Sequence, residues 1–289
     1  MLGALKELMR PPAGMVADFS APIGAPSLAP AHGVSWRVFA NPVTVFIGGT
    51  AAVLMELAEP SVRAGVWGNS SFRHDPLGRL RRTGFAAMMT VYGPRRDAER
   101  MIARVVAMHE GVHGTTPDGL PYRANDPQLL NWVQATAIFG FTEAYAAYAS
   151  AFNPAEKSAA FAEGLPAAKL YGAVDAPGSW EAWERLLAAT APTLEGSDVL
   201  AEFLDIMADE AVLPVSVRWL QRLLVRAAVE IVPEPVRSLP QLRERGLRTS
   251  ERLQVRAIAL AAKLLRFSRL PPAQAAKRMR PSYRLRSPT

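Results

Sequence analysis

The sequence of this chain is punctuated by Asx-Pro pairs, one of them followed by a long apolar run. Asp126-Pro127 precedes QLLNWVQATAIFGFTEAYAAY, and Asn153-Pro154 repeats the device. An Asx side chain accepts from the free amides of a first helical turn, and proline at the first position has no N–H to lose. Helices are therefore predicted over 127–150 and 154–164. From Val43 onward the pattern is helical almost without relief, with Leu54, Leu57 and Ala58 recurring at three-to-four spacing. A helix over 79–92 is closed by Gly93-Pro94. The next, 97–113, has acid near its start and Gly114 beyond its end. Ser179 caps 180–190, Ser197 and Asp198 precede a helix to about 208, and Pro214 opens 214–230, which Pro233 and Pro235 end. A short helix is predicted over 240–245, and Ser250 begins an amphipathic one running to Phe267. No alternating strand, hairpin turn pair, phosphate-binding glycine loop or fixed-period repeat is visible. The predicted class is all-α, one domain, with wide apolar helix faces packed irregularly in a globin-like manner.

Composition bounds the function. With 49% apolar and 20% charged residues in 289, a large core can be buried. The absence of cysteine removes disulfides, thiolate metal sites and cysteine nucleophiles. The main domain is expected over 41–275, after a Pro/Gly/Ala-rich segment 1–40 with a short helix at about 2–9. A basic, mobile tail is expected over 276–289. Net charge is +7, and residues 269–289 contain six Lys or Arg and no acid. That stretch has one aromatic, Tyr283, and no recognition-helix pattern. The expectation is thus no nucleic acid, and at most a weak contact with a membrane surface. The N-terminus, MLGALKELMRPPAGM, is interrupted by charge and proline and reads as no export signal. Two apolar runs, 43–58 and 129–149, are too short or too polar for a span of roughly 20 apolar residues. Glu56 breaks the first, and Asn131, Gln134, Thr136 and Glu143 break the second. Both read as buried core helices, in a chain expected to be cytoplasmic.

Two of the four histidines fall in HEGVH, His109 to His113, which matches the H-E-x-x-H zinc protease pattern. That pattern needs both imidazoles on one helix face. Gly111 lies between them, His113 sits at the predicted helix end, and no third ligand follows at the usual spacing. His113 reads as a helix-end residue that interacts with the C-terminal dipole. His109 lies among Ile102, Val105, Val106 and Val112. There it is either a satisfied core histidine or a neutral imidazole projecting into an apolar cavity, as a haem iron requires.

The blocks GVWGNSSFRHDPLGRLRRTGFAAMMTVYG (65–93), RVVAMHEGVHG (104–114) and YRANDPQLLNWVQATAIFGFTEAYAAY (122–148), preceded by LMELAEPSVRAGV (54–66), occur in order and at close spacing. This series resembles the MpaB-type oxygenases, which include the rubber-cleaving latex-clearing proteins. The resemblance runs over about 40–275 and implies an all-α, globin-like single domain enclosing a b-type haem, with dioxygen as co-substrate. The family's axial histidine lies in an M-H-x-x-V segment, which places the iron ligand at His109. Its R-x-x-K-T run beside the haem corresponds to Arg79, Arg82 and Thr83, with arginine where the latex-clearing branch has lysine. Arginine stays protonated and cannot ligate iron, so a lysine-capped resting state is not expected. Val106 stands where that branch has arginine, and Asn69 where many relatives have histidine.

Within that resemblance, His109 is the metal ligand, and Arg79, Arg82, Thr83 and Trp132 contact the cofactor. Arg79 and Thr83 lie nearest the chemistry. Arg79 and Arg82 are placed on the haem propionates, while Arg81 reads as solvated helix face. The implied activity is haem-dependent oxygenation of an apolar, isoprenoid- or lipid-like small molecule. The alternative is a helical haem- or lipid-binding module without turnover, and further behind stands a zinc protease through HEGVH.

Overall fold

The structure is a computed structural model that describes residues 17–68, 71–209, 215–264 and 270–279. The predicted helix at 2–9, Asn69, Pro214, Phe267 and the tail from 280 onward lie outside the described residues. The remainder is mostly helical, as the class prediction requires.

In chain order the helices are α1 (Val34–Phe39), α2 (Pro42–Ala58), α3 (Pro60–Gly68), α4 (Pro76–Tyr92) and α5 (Arg95–His109). A two-stranded hairpin follows, β1 (His113–Thr115) and β2 (Pro121–Arg123). Then come α6 (Pro127–Tyr148), α7 (Pro154–Tyr171), α8 (Trp180–Thr190), α9 (Asp198–Asp209), α10 (Arg218–Ile231), the single turn α11 (Glu234–Arg237), α12 (Thr249–Leu264) and α13 (Pro271–Arg278).

Four helices start on Asx-Pro. Asn41 accepts from the Val43 and Thr44 amides, Asp75 from Gly78, and Asp126 from Gln128. Asn153 and Glu156 form a reciprocal capping box. Ser179 caps α8 through the Ala182 amide at 3.2 Å. Helix α1 has no local cap. The carboxylate of Glu163 in α7 accepts from the Val34 and Ser35 amides at 2.9 and 2.7 Å, so its start is set from 129 residues away. The stretch predicted as a helix over 240–245 forms consecutive turns instead.

The central packing is α2 against α6, antiparallel. Gly48 and Gly140 meet at the crossing, where a Cβ on Gly48 would lie 2.6 Å from Phe141 Cα and 2.7 Å from the Gly140 carbonyl oxygen. Only glycine permits that approach. Two turns further on, Trp132 Nε1 donates to the Met55 carbonyl at 3.3 Å. Trp132, Phe139 and Phe161 stack around the buried Trp183 with ring centroids 4.9–6.2 Å apart. Both apolar runs are thus core helices. Among the described residues no single helix is long and apolar enough to cross a membrane. The pair α2–α3 reaches that length only together and is bent by 112°.

Several predicted boundaries move: α4 begins at Pro76 and not at Arg79, α10 begins at Arg218 and not at 214, and two helix ends shift with consequences for the site. Helix α7 runs through Pro166 to Tyr171, not to 164. Pro166 sits on the exposed side, and the extra turns bury Ala167 and Ala168, so tertiary packing overrides the local break. Helix α5 ends at His109, not at 113. After Gly111 the chain turns back, Ala124 N bonds Val112 O at 2.9 Å, and His113 pairs with Arg123 in the hairpin. The signal for this hairpin is Pro117-Asp118-Gly119, with Gly119 at φ +86°. The hairpin is a departure from the sequence expectation of no strands.

Candidate functional site

Helices α2, α4, α6 and α7 enclose a cavity of about 460 Å³, a size that takes an organic cofactor or substrate. Its walls are largely apolar. Phe39, Phe46 and Phe141 line one part, and Phe39 packs on Phe141 at 4.5 Å between centroids. Its polar groups include Glu56, Arg79, Arg81, Thr83, His109, Gln134 and Tyr171.

His109 reaches the cavity because α5 ends there. Its Nδ1 is buried with no hydrogen-bond partner among the described residues. Burial first, and then the positive charge of Arg79, hold its pKa below the ordinary imidazole value. The ring is therefore neutral near pH 7, the form that keeps a lone pair for a metal. His113 is exposed on β1. The HEGVH residues therefore do not share a helix face, and the zinc reading fails on geometry. Among the described residues no three His, Cys, Asp or Glu side chains are grouped to hold a metal ion.

Arg79 and Thr83, one turn apart on α4, both line the cavity, Thr83 at an exposed edge. Arg82 does not. It lies with Met89, seven residues on, on the stripe of α4 turned away from the cavity. Its guanidinium bonds Asp75 Oδ2 at 3.2 Å and Ser71 Oγ at 2.6 Å. Arg81, read from the sequence as solvated, lines the cavity instead. Trp132 faces the other side of α6 and belongs to the aromatic core around Trp183.

Three lining groups escaped the sequence reading as site residues. Glu56 is the most perturbed of them. The α2–α6 register brings it level with the turn 130–134, where Gln134 lines the same cavity. Burial pushes the Glu56 carboxyl up to about 7, against the opposing pull of Arg79. Desolvation also lowers Arg79, with Glu56 acting against it. Burial raises the Tyr171 phenol, which stays neutral with its hydroxyl 3.5 Å from Thr90 Oγ1. The available signal for Glu56 and Gln134 was a polar residue inside an otherwise apolar run. In the sequence by itself that signal argues only against membrane spans.

Residues 36–267 match the family model described as ER-bound oxygenase mpaB/B'/Rubber oxygenase, catalytic domain. The chain belongs to this oxygenase family. No curated protein and no solved structure matches it. The MpaB/rubber oxygenase match includes His109, Arg79, Glu56 and most of the cavity wall. Phe19, Leu28 and Pro271, which also line the cavity, lie outside it. The chain is thus an oxygenase catalytic domain that contains a largely apolar cavity.

Proposed function

We propose that this chain is a haem-dependent oxygenase, with His109 as the iron ligand and an apolar small molecule as substrate. The observation that carries the reading is the buried, unpartnered Nδ1 of a neutral His109 in the wall of an apolar cavity. A metal-bound histidine uses one ring nitrogen for the metal and leaves the other to an outer partner. The residues present fit haem in kind as well. Arg79 and Arg81 are cations on the cavity wall that can pair with propionates, and the remaining walls are apolar. Bound haem supplies a redox-active iron for dioxygen chemistry.

The chain's own residues do the rest. His109 stays unprotonated because charging it beside Arg79 in an apolar wall is costly. Arg79 keeps its charge, since burial lowers its pKa only against the opposing pull of Glu56. Glu56, with its carboxyl at about 7, can hold or release a proton near neutral pH. Gln134 and Tyr171 offer hydrogen bonds to a substrate oxygen, while Phe39, Phe46 and Phe141 exclude water and favour a hydrocarbon portion.

Absorption spectroscopy after haem supply tests this. A Soret band is expected in the native protein, and its loss or shift in His109→Ala. No band, or one indifferent to that change, sinks the assignment. A second reading, a haem- or lipid-binding module without turnover, draws on the same apolar cavity and on Arg82 and Val106 departing from the latex-clearing pattern. Oxygen uptake with candidate alkenes separates the two, because a carrier consumes none.

A further inference from the structure

Helix α12 presents the core with one face and solvent with an apolar one. Inward, Val255, Ala259 and Ala262 are buried. Asn41 Nδ2 donates to the Ala259 carbonyl at 2.9 Å, which fixes the helix against the start of α2. Outward, Leu253 is 70% exposed and Leu260 is 51% exposed. They are seven residues apart and so lie on one stripe, with exposed Ala257 and Ala261 completing it. An outward stripe of this kind has no partner within the described chain.

The charge on α12 beside it is mostly positive. Arg252, Arg256 and Lys263 flank the stripe, all exposed; Arg252 also pairs with Glu230, and Arg256 and Lys263 donate to the Ala147 and Ala149 carbonyls. The one acid of α12, Glu251, is turned to Arg226 and to the Arg248 amide. From Arg252 to the C-terminus the sequence has ten Lys or Arg and no Asp or Glu. The first 251 residues hold 23 basic and 26 acidic residues, so the whole positive excess of the chain resides in this end. An apolar stripe with cationic flanks is what lies in the plane of a lipid–water interface. Anionic lipid attracts each nearby Lys or Arg by about 1 kcal/mol at modest salt. A second copy of the chain is a poorer occupant, since pairing two such stripes would bring cations against cations.

The stripe also has a fixed place relative to the cavity. Asn41, held by α12, is followed by Pro42, and Pro42, Phe39 and Phe46 line the cavity's aromatic part. Pro271, at the start of α13, lines it too. Helix α13 is itself anchored. Arg278 is fully buried and donates to the carbonyls of Phe19, Ala25 and Tyr92 and to Ser27 Oγ. The residues 276–279, read from the sequence as the beginning of a mobile tail, are thus part of the packed structure.

We infer that the outward face of α12 docks the protein on an anionic phospholipid bilayer, beside the apolar part of the cavity. An apolar molecule dissolved in that bilayer then lies close to the cavity without crossing bulk water. The docking does not depend on the haem assignment, whereas the delivery of substrate rests on it.

Co-sedimentation of the full chain with vesicles tests the docking. Phosphatidylcholine vesicles are compared with phosphatidylcholine–phosphatidylglycerol vesicles, at low and high salt. Binding is expected to the anionic vesicles alone, and to fall steeply with salt. Leu253→Glu with Leu260→Glu, both at exposed positions, should weaken it by about tenfold or more with unchanged circular dichroism. His109→Ala should bind vesicles as the native chain does, which separates failure of the haem reading from failure of this one. Equal binding to neutral vesicles overturns the inference, as does binding indifferent to the leucine changes. A concentration-dependent dimer that Leu260→Glu dissolves would also overturn it, by assigning the stripe to a second copy.

Discussion

Glu56→Gln gives the sharpest test of the cavity's electrostatics. In the unfolded chain the carboxyl titrates at its ordinary value of 4.5, and in the fold at about 7. The folded state therefore binds the extra proton between those values, and stability falls as pH rises through that window. The full shift corresponds to about 3 kcal/mol at 1.36 kcal/mol per pH unit. Glu56 borders the cavity, where water can screen it, so about 1–2 kcal/mol is expected. Glutamine keeps the shape and cannot ionise, so it removes this slope. His109 acts in the opposite sense: its lowered value costs stability as pH falls below the ordinary imidazole range. That contribution is common to both proteins and cancels in their difference. Urea unfolding of the haem-free protein at pH 5, 6, 7 and 8 should show the variant gaining about 1–2 kcal/mol on the native chain across that range. Two parallel profiles would refute the reasoning, because Glu56 would then be hydrated and not desolvated by the cavity wall.

Other outcomes follow from the packing and the arginine geometry. Gly140→Ala places a methyl against the Gly48 carbonyl and 3.2 Å from the Ala52 amide nitrogen. Both are backbone, so α2 and α6 must separate, and a net loss of about 2 kcal/mol is expected in urea unfolding despite the gain in helix propensity. Arg79→Ala should weaken haem retention about tenfold or more, whereas Arg82→Ala, bonded to Asp75 and Ser71 outside the cavity, should leave it within about twofold in a haem-transfer assay. Equal effects of the two would remove the distinction drawn from the face of α4.

Much of this protein is local in origin, and that part was legible. The Asx-Pro caps at Asp126 and Asn153 act within one turn, so the starts of α6 and α7 follow from neighbouring residues alone. The same holds for Ser179 and α8, and for the all-α class. The family was legible too, through ordered blocks that the model match over 36–267 bears out. Choices that depend on residues far apart in the chain were not. Helix α1 starts on a carboxylate from α7. Helix α7 passes Pro166 because its last turns find burial. Spacing along α4 put Arg79, Arg82 and Thr83 together, and only packing decided that Arg82 turns to Asp75 while Arg81 meets the cavity. Trp132 had the composition of a cofactor wall and went to the Trp183 cluster, because α6 has two apolar faces and the sequence does not rank them. A single glutamate in an apolar run was visible throughout. That it sits opposite Arg79, with its carboxyl near neutrality, required the fold, since desolvation is set by what α4, α5 and α6 bring around it.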